Sequence, residues 1–372
     1  MPKKLIPFIF MIGLFVSFAF ASYLRTPLTY SPTEQRPLAQ HPTLNKEFGT
    51  ELNNYTNDQF YFRDRLMQIK SKLQRLLGQR YLNGIWVRND MLFQEGISLT
   101  NEHQEQLINA FRQFQKQTKL KPKMMIVGDR INLLEDEVSK DMVTIDSLKD
   151  IASLQEHLSD FAWIDVNSVL KNQRDAFYVS DHHYTSKGAY LCFEAYRKQF
   201  LAKEKAYKYD ILPYTNQFLG TLANQSGIRD YQDIVELYVP QNSDISYLCK
   251  IADTTTTSIY NQEKGASQNA YEIFFGGNHP LVELTTTVKN NKHLLIVKDS
   301  FANAFVPFLI PYYHRITMVD PRYYYDNIYQ YIKNENVNDV LFLYSSQTLF
   351  KDTSFIDFTH KNLKLYLRFF VL

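Results

Sequence analysis

Three side chains in this chain are of the types that together move an acyl group: Ser300, His183 and Asp181. In Ser180-Asp181-His182-His183-Tyr184-Thr185-Ser186 a carboxylate stands two residues before an imidazole. In extended backbone, residues i and i+2 point to one side, which places the Asp181 carboxylate beside the His183 ring. There it would fix the ring tautomer and stabilise the imidazolium as it forms. His183 would take a proton from a hydroxyl and return it to a leaving group. The candidate hydroxyl is Ser300, in Lys298-Asp299-Ser300-Phe301, where an apolar run ends and a helical pattern begins. Such a turn exposes the hydroxyl, and N–H groups at the helix start face a developing oxyanion. Gly276-Gly277-Asn278 would add a backbone donor and a side-chain donor. His182 reads as a structural or substrate-facing neighbour and Asp299 as a helix cap. His279 and Arg322 read as local hydrogen-bonders, and Arg63 as a helix-surface or interdomain pair.

Asp181, His182 and His183 are also metal-ligand types. Adjacent residues in extended backbone face opposite ways, however, and the chain has no HExxH or CxxC pattern, so no metal is expected. No cofactor motif is visible either, acetyl-CoA included.

The elements that must position these groups are legible in outline. Lys3 and Lys4 precede an apolar run from Leu5 to Leu24. As a helix it would be roughly 30 Å long, about the hydrocarbon thickness of a bilayer. Residues 1–24 therefore read as a signal anchor or, given Ala19-Phe20-Ala21, a cleaved signal peptide. The lysines would stay cytoplasmic and send the rest of the chain outside. Residues 25–44 hold Pro27, Pro32, Pro37 and Pro42 and read as an extended linker. Residues 45–118 read as a helical region: one long helix over 45–80, a short hairpin around Arg88-Asn89-Asp90, and a helix from Asn101 to Thr118.

From residue 119 onward, short apolar runs alternate with helical patterns. The runs are Met124–Val127, Phe161–Val166, His293–Val297, Ile316–Val319 and Val340–Tyr344; the helices are 148–158, 187–202 capped by Thr185 or Ser186, 302–309 and 324–333. That alternation predicts an α/β domain over 119–372, a parallel sheet flanked by helices, with a β/loop insertion at about 203–284. Polar residues follow the strands' C-terminal ends, where open α/β sheets place their sites. Charge is balanced, 41 basic against 39 acidic residues, which argues against nucleic-acid binding. Cys192 and Cys249 are too few for a disulfide framework; an oxidising compartment would allow them to pair, and the other reading is two buried thiols.

Several motifs in order resemble those of the DHHW family, which is similar to the SGNH-hydrolase-like acetyltransferases of alginate O-acetylation. They are Asn57-Asp58-Gln59-Phe60-Tyr61-Phe62-Arg63-Asp64, Asn83-Gly84-Ile85-Trp86-Val87 with Asp90-Met91-Leu92, and Asp181-His182-His183-Tyr184 running on to Tyr190. Phe218-Leu219-Gly220-Thr221-Leu222, Phe275-Gly276-Gly277-Asn278, Lys298-Asp299-Ser300-Phe301 and Val319-Asp320-Pro321-Arg322 follow. The resemblance implies an SGNH-like (flavodoxin-like) domain with Ser300 as nucleophile, His183 as base and Asp181 orienting it. Asn278, Gly277, Tyr184, His182 and Arg322 are then candidate oxyanion or substrate contacts. It further implies a polysaccharide acceptor and a membrane-bound O-acyltransferase that delivers acetyl groups, with a deacetylase or a non-catalytic glycan-binding protein as rival readings. Two departures stand out: Tyr184 replaces the family's Trp, and Lys298 replaces a Gly before Asp-Ser.

Overall fold

The central parallel strands are buried on both faces, because helices cover both. The computed structural model describes residues 5–31, 36–142 and 144–359. The first helix, α1 (Leu5–Leu24), is followed by the two-residue strands β1 (Tyr30–Ser31) and β2 (Arg36–Pro37), then α2 (Phe48–Gln59) and α3 (Arg63–Leu76). Lys3 and Lys4 lie outside the described residues, and among the described residues no helix is long and apolar enough to cross a membrane.

The single helix expected over 45–80 is two helices. Phe60 turns to extended backbone at φ −59°, ψ 130°. The preceding polar side chains serve the linker instead: Gln59 Oε1 accepts from Leu28 N (3.0 Å) and Asp58 Oδ2 from Ala39 N (2.9 Å). A three-stranded meander follows, β3 (Tyr81–Leu82), β4 (Ile85–Arg88) and β5 (Met91–Gln94). Its turns, Asn83-Gly84 and Asn89-Asp90, have both central residues at positive φ, the hairpin geometry whose twist matches the strands. The second of these is the hairpin expected around Arg88-Asn89-Asp90.

The α/β domain continues through α4 (Asn101–Thr118), β6 (Lys123–Val127), α5 (Arg130–Leu133), α6 (Ser147–His157), β7 (Ala162–Trp163), α7 (Asn167–Leu170) and α8 (Ser186–Phe200). Next come β8 (Tyr209–Phe218), α9 (Thr221–Ser226), β9 (Asp233–Pro240), β10 (Tyr247–Ile251), β11 (Thr254–Thr256), α10 (Gln262–Gly265) and β12 (Leu281–Thr286). The chain then forms β13 (His293–Lys298), α11 (Ala302–Phe305), β14 (Arg315–Val319), α12 (Ile328–Asn334), β15 (Asp339–Ser345) and α13 (Ser346–Leu349).

The eight-stranded sheet has the order β11-β10-β12-β14-β13-β15-β6-β7. Strands β14, β13, β15, β6 and β7 are parallel, and β12, β10 and β11 extend one edge antiparallel. The stretch read as an insertion thus splits: β8 and β9 pair as a separate ribbon, while β10 to β12 widen the main sheet. Alternation does the sorting. Leu294, Ile296, Leu341, Leu343, Met125 and Val127 face one core with α8. Leu295, Val297, Val340, Phe342, Met124 and Ile126 face the other with α4 and α12. Each such side chain contributes about 1.5–3 kcal/mol by leaving water. The Phe161–Val166 run pairs only through Ala162–Trp163 and ends in α7. Cys192 and Cys249 are free and buried. Strands β6, β14, β13 and β15 end at Val127, Val319, Lys298 and Ser345, and polar residues gather along that rim.

Candidate active site

Ser300 Oγ lies 2.7 Å from His183 Nε2, and His183 Nδ1 lies 2.5 Å from Asp181 Oδ1. Hydroxyl, ring and carboxylate therefore form one continuous hydrogen-bonded line from residues 117 apart in sequence. Ser300 is half-buried, while His183 and Asp181 are buried.

The line is built differently from the extended-strand expectation. Residues 180–183 form a tight bend in which Asp181 Oδ1 also accepts from the backbone N–H of His183 (3.0 Å). An aspartate that bonds the N–H two residues on makes its own turn. The other oxygen, Oδ2, accepts from Thr221 N (2.8 Å) and Thr221 Oγ1 (3.0 Å), at the start of α9. Burial pushes the Asp181 carboxyl up, but the His182 and His183 rings and these hydrogen bonds outweigh it and hold the group well below the usual carboxylate range. It is ionised at any pH near neutrality.

The bend is pinned from all sides. Asp233, opening β9, accepts from Val179 N (2.7 Å), Ser180 N (2.8 Å) and Ser180 Oγ (2.5 Å). Arg130 donates to the carbonyls of Tyr178 and Asp181. Gly220 packs so closely on the bend that a Cβ there would sit 2.1 Å from Asp181 Cβ. The Tyr271 ring stacks on His183 at 3.9 Å and 12°, and its hydroxyl donates to the Ser300 carbonyl (3.0 Å). Nothing in the sequence marks Thr221, Gly220, Asp233, Arg130 or Tyr271 as chemistry; of these, Gly220 and Thr221 fall within a family-like motif, Phe218-Leu219-Gly220-Thr221-Leu222.

The bend also changes the metal argument. It turns the His182 and His183 rings to the same side, 3.9 Å apart, and brings ligand atoms of Asp181, His182 and His183 within 4.8 Å of one another. The expectation that the two rings face opposite ways is thus overturned, because it assumed extended backbone. Both His183 nitrogens are nevertheless engaged, by Asp181 and by Ser300. His182 Nδ1 is 2.6 Å from Thr221 Oγ1, and since that hydroxyl donates to Asp181, His182 must donate to it. Burial and the neighbouring His183 push His182 down, so it is neutral, with Nε2 unpartnered among the described residues.

On the nucleophile side, Asp299 is more than a cap. Its Oδ1 accepts from Phe301 N (2.9 Å), and its Oδ2 accepts from Ser345 N and Oγ (2.8 and 2.7 Å), tying the turn to β15. The Phe301 N–H is thereby unavailable to an oxyanion, whereas the Ser300 N–H has no partner among the described residues. Tyr184, expected at the substrate, is fully buried behind the turn and donates to the Phe301 carbonyl (2.6 Å). Gly277 is also a correction: its N–H bonds the Phe274 carbonyl (3.2 Å). Arg322 spends two donors on Asp320 (2.8 and 2.7 Å).

Lys298 has a definite place. Its ammonium is buried, donates to Asn278 Oδ1 and Asn303 Oδ1 (both 2.9 Å) and lies 3.7 Å from Asp320. Burial pushes it down to about 8, Asp320 opposes that, and it remains charged at neutral pH. Asn303 Nδ2 also donates to Asn278 Oδ1 (3.2 Å). With its carbonyl held twice, the Asn278 amide must turn its NH2 the other way. Phe275, Gly276 and Gly277 precede it at φ +60°, +75° and +108°, left-handed backbone that is uncommon for a bulky aromatic. A small recess of about 30 Å³ opens beside the triad, lined by His182, Phe301, Leu222, Asp129, Arg130 and Gln347.

A family model described as "DHHW protein" matches residues 63–319. Among solved structures, the fold is similar to a DHHW family protein from Eubacterium siraeum, at TM-score 0.64 and 20% identity over 75% of this chain and 96% of that one. It is also similar to Bacillus cereus PatB1 with a sulfonyl adduct, at TM-score 0.63 and 21% identity over 74% and 97% of the two chains. A more distant likeness, TM-score 0.47 and 11% identity over 75% and 99%, is to the O-acetyltransferase domain of Pseudomonas putida AlgJ. No curated protein matches the chain.

Proposed function

The chain belongs to the DHHW family, and from that premise we propose that it is a serine-dependent O-acetyltransferase acting outside the cytoplasm on a cell-envelope or exported polysaccharide. The observation that carries the reading is the unbroken line Ser300 Oγ, His183 Nε2, His183 Nδ1, Asp181 Oδ1, at 2.7 and 2.5 Å.

In the first half-reaction Ser300 Oγ attacks the acetyl carbonyl as its proton passes to His183 Nε2. The tetrahedral oxyanion is met by the Ser300 N–H and the Asn278 NH2. The bond to the donor's oxygen then breaks, and His183 returns the proton to that oxygen. Acetyl-Ser300 remains. In the second half, a sugar hydroxyl enters through the recess and His183 removes its proton. Its oxygen attacks the ester carbonyl, and the proton finally restores the Ser300 hydroxyl. Asp181 stays ionised throughout and balances the transient imidazolium. Neutral His182 offers Nε2 as an acceptor for a second sugar hydroxyl.

Residues 1–24, as a signal anchor or a cleaved signal peptide, would take the domain outside the cytoplasm, where a membrane-bound O-acyltransferase would supply the acetyl group. PatB1 is known with a sulfonyl adduct, and sulfonyl reagents capture activated nucleophiles. The test follows from that chemistry. Wild type is expected to hydrolyse a chromogenic acetyl ester slowly and to lose that turnover on treatment with a sulfonyl fluoride, with the label on the Ser300 peptide. Ser300→Ala is expected to lose at least about 10³-fold in kcat and to resist labelling. Equal turnover by the two proteins removes Ser300 from the mechanism. Adding oligosaccharide acceptors and weighing the products then separates transfer from hydrolysis: acetylated sugar supports the proposal, and acetate alone favours an esterase.

A further inference from the structure

α3 carries an apolar stripe that no described residue covers. Leu66, Ile69, Leu73, Leu76 and Leu77 are 48–83% exposed, although they recur at helical spacing on one face. The opposite face is docked: Ser71 is fully buried, donating to the Ser226 carbonyl, and Arg75 pairs with Asp230. At about 100° per residue, Arg65 and Lys72 border the stripe on one side and Lys70 on the other, and all three are exposed. The helix holds five basic residues and one acidic, in a chain whose total is only +2. Apolar side chains between long cations suit an anionic lipid surface, where the stems lie along the apolar zone and the charges reach the headgroups.

A second observation ties this helix to α1. Phe18 of α1 packs edge-on against Phe60 and Phe62, with ring centroids 6.3 and 5.3 Å away, and Tyr61 N donates to Ser22 Oγ (2.9 Å). Phe18 precedes the end of α1 at Leu24 by six residues, about 9 Å along a helix. The end of α1 and the start of α3 are thus tied together, so a membrane that holds α1 is brought to α3.

We propose that α3 lies flat on the outer surface of the membrane, its leucine stripe in the headgroup boundary and its basic borders on anionic phospholipid. The inference rests on the reading of α1 as a membrane anchor. It would fix the orientation of the domain and hold the triad at a set height above the lipid.

The full chain, reconstituted in vesicles of phosphatidylcholine or of phosphatidylcholine with phosphatidylglycerol, provides the test. An environment-sensitive fluorophore is placed on Leu73→Cys; Cys192 and Cys249 are buried and stay unlabelled. A control probe sits on Thr255→Cys, exposed on β11. Ester hydrolysis confirms that each variant is folded. The Leu73 probe is expected to shift to the blue in the mixed vesicles and to be quenched by spin-labelled acyl chains. The effect is expected to weaken in pure phosphatidylcholine and in Lys70→Glu/Lys72→Glu, and the Thr255 probe should report water throughout. Salt-resistant co-flotation separately reports anchoring by α1. A chain that floats while its Leu73 probe reports water overturns the α3 proposal and leaves the anchor standing. Neither flotation nor a shift overturns both. A shift that is indifferent to lipid and tracks a cross-linked dimer assigns the stripe to a second copy, which also overturns the proposal.

Discussion

Replacing Asp181 by Asn tests the catalytic line at its most constrained point. The carboxylate accepts four hydrogen bonds, from His183 Nδ1, His183 N, Thr221 N and Thr221 Oγ1. An amide of the same shape offers one acceptor oxygen and two N–H donors. With its oxygen toward His183, the NH2 faces the Thr221 N–H, and a buried donor is left unpaired at about 1–3 kcal/mol. With its oxygen toward Thr221, the NH2 faces His183 Nδ1. The ring proton is then driven to Nε2, where it cannot receive the Ser300 proton. Both orientations remove the negative charge that balances the imidazolium. A loss of about 10³–10⁴ in kcat follows, or about 4–5.5 kcal/mol at 1.36 kcal/mol per tenfold. KM for a small ester should hardly move, because Asp181 is buried and does not touch substrate. The assay is steady-state hydrolysis of a chromogenic acetyl ester beside thermal unfolding, which should show the stability loss separately. Thr221→Val, which removes only one bond to Asp181 and the His182 contact, should fall between wild type and Asp181→Asn. An Asn variant that folds and retains activity within tenfold of wild type would refute the orienting role assigned to Asp181.

Three further outcomes are expected. Gly220→Ala puts a Cβ 2.1 Å from Asp181 Cβ; it should cost about 1–3 kcal/mol of stability and about 100-fold in kcat by displacing the bend, and a silent substitution in both assays would contradict the close packing. Asn278→Ala should lower kcat by about 10²–10³. Lys298→Met should have a similar effect and the double variant little more, since Lys298 is argued to act through Asn278; additive losses in the cycle would separate the two residues. Asp129 carries the pH prediction. Burial pushes its carboxyl from 3.8 up to about 6, against the hydrogen bond that Ser346 Oγ donates to Oδ1 (2.6 Å). The folded state thus holds this proton more tightly than the unfolded chain. Its stabilising contribution is full below about pH 3.8, falls as pH rises to about 6, and is then flat, a change on the order of 3 kcal/mol. Asp129→Asn should remove that slope and gain on wild type as pH rises from 4 to 7 in thermal melts; a constant difference across that range would mean that Asp129 does not titrate there.

Much of the scaffold was legible because its signals are local. Continuous apolar runs, Thr185 capping α8 through Gly188 N, and the positive-φ turn at Asn89-Asp90 each depend on a few adjacent residues. The long helix over 45–80 failed because the side chains of Asp58 and Gln59 are taken by the linker, a contact that no helical periodicity encodes. Strands β10 to β12 were read as part of an insertion because an antiparallel edge has a weaker apolar pattern than the two-face core strands.

Sequence alone determined which atoms are available for chemistry: a hydroxyl after a strand, and an imidazole two residues from a carboxylate. It also determined that apolar alternation would carry those groups to one rim of a sheet. Only the tertiary structure decided how the groups meet. Thr221, Gly220, Asp233 and Arg130 fold the Asp181–His183 segment into a bend, and Lys298 with Asn303 sets which end of the Asn278 amide is free. Those choices depend on hydrogen bonds between residues tens to hundreds of positions apart, and a buried donor or acceptor finds its partner by proximity in space, which spacing along the chain does not record.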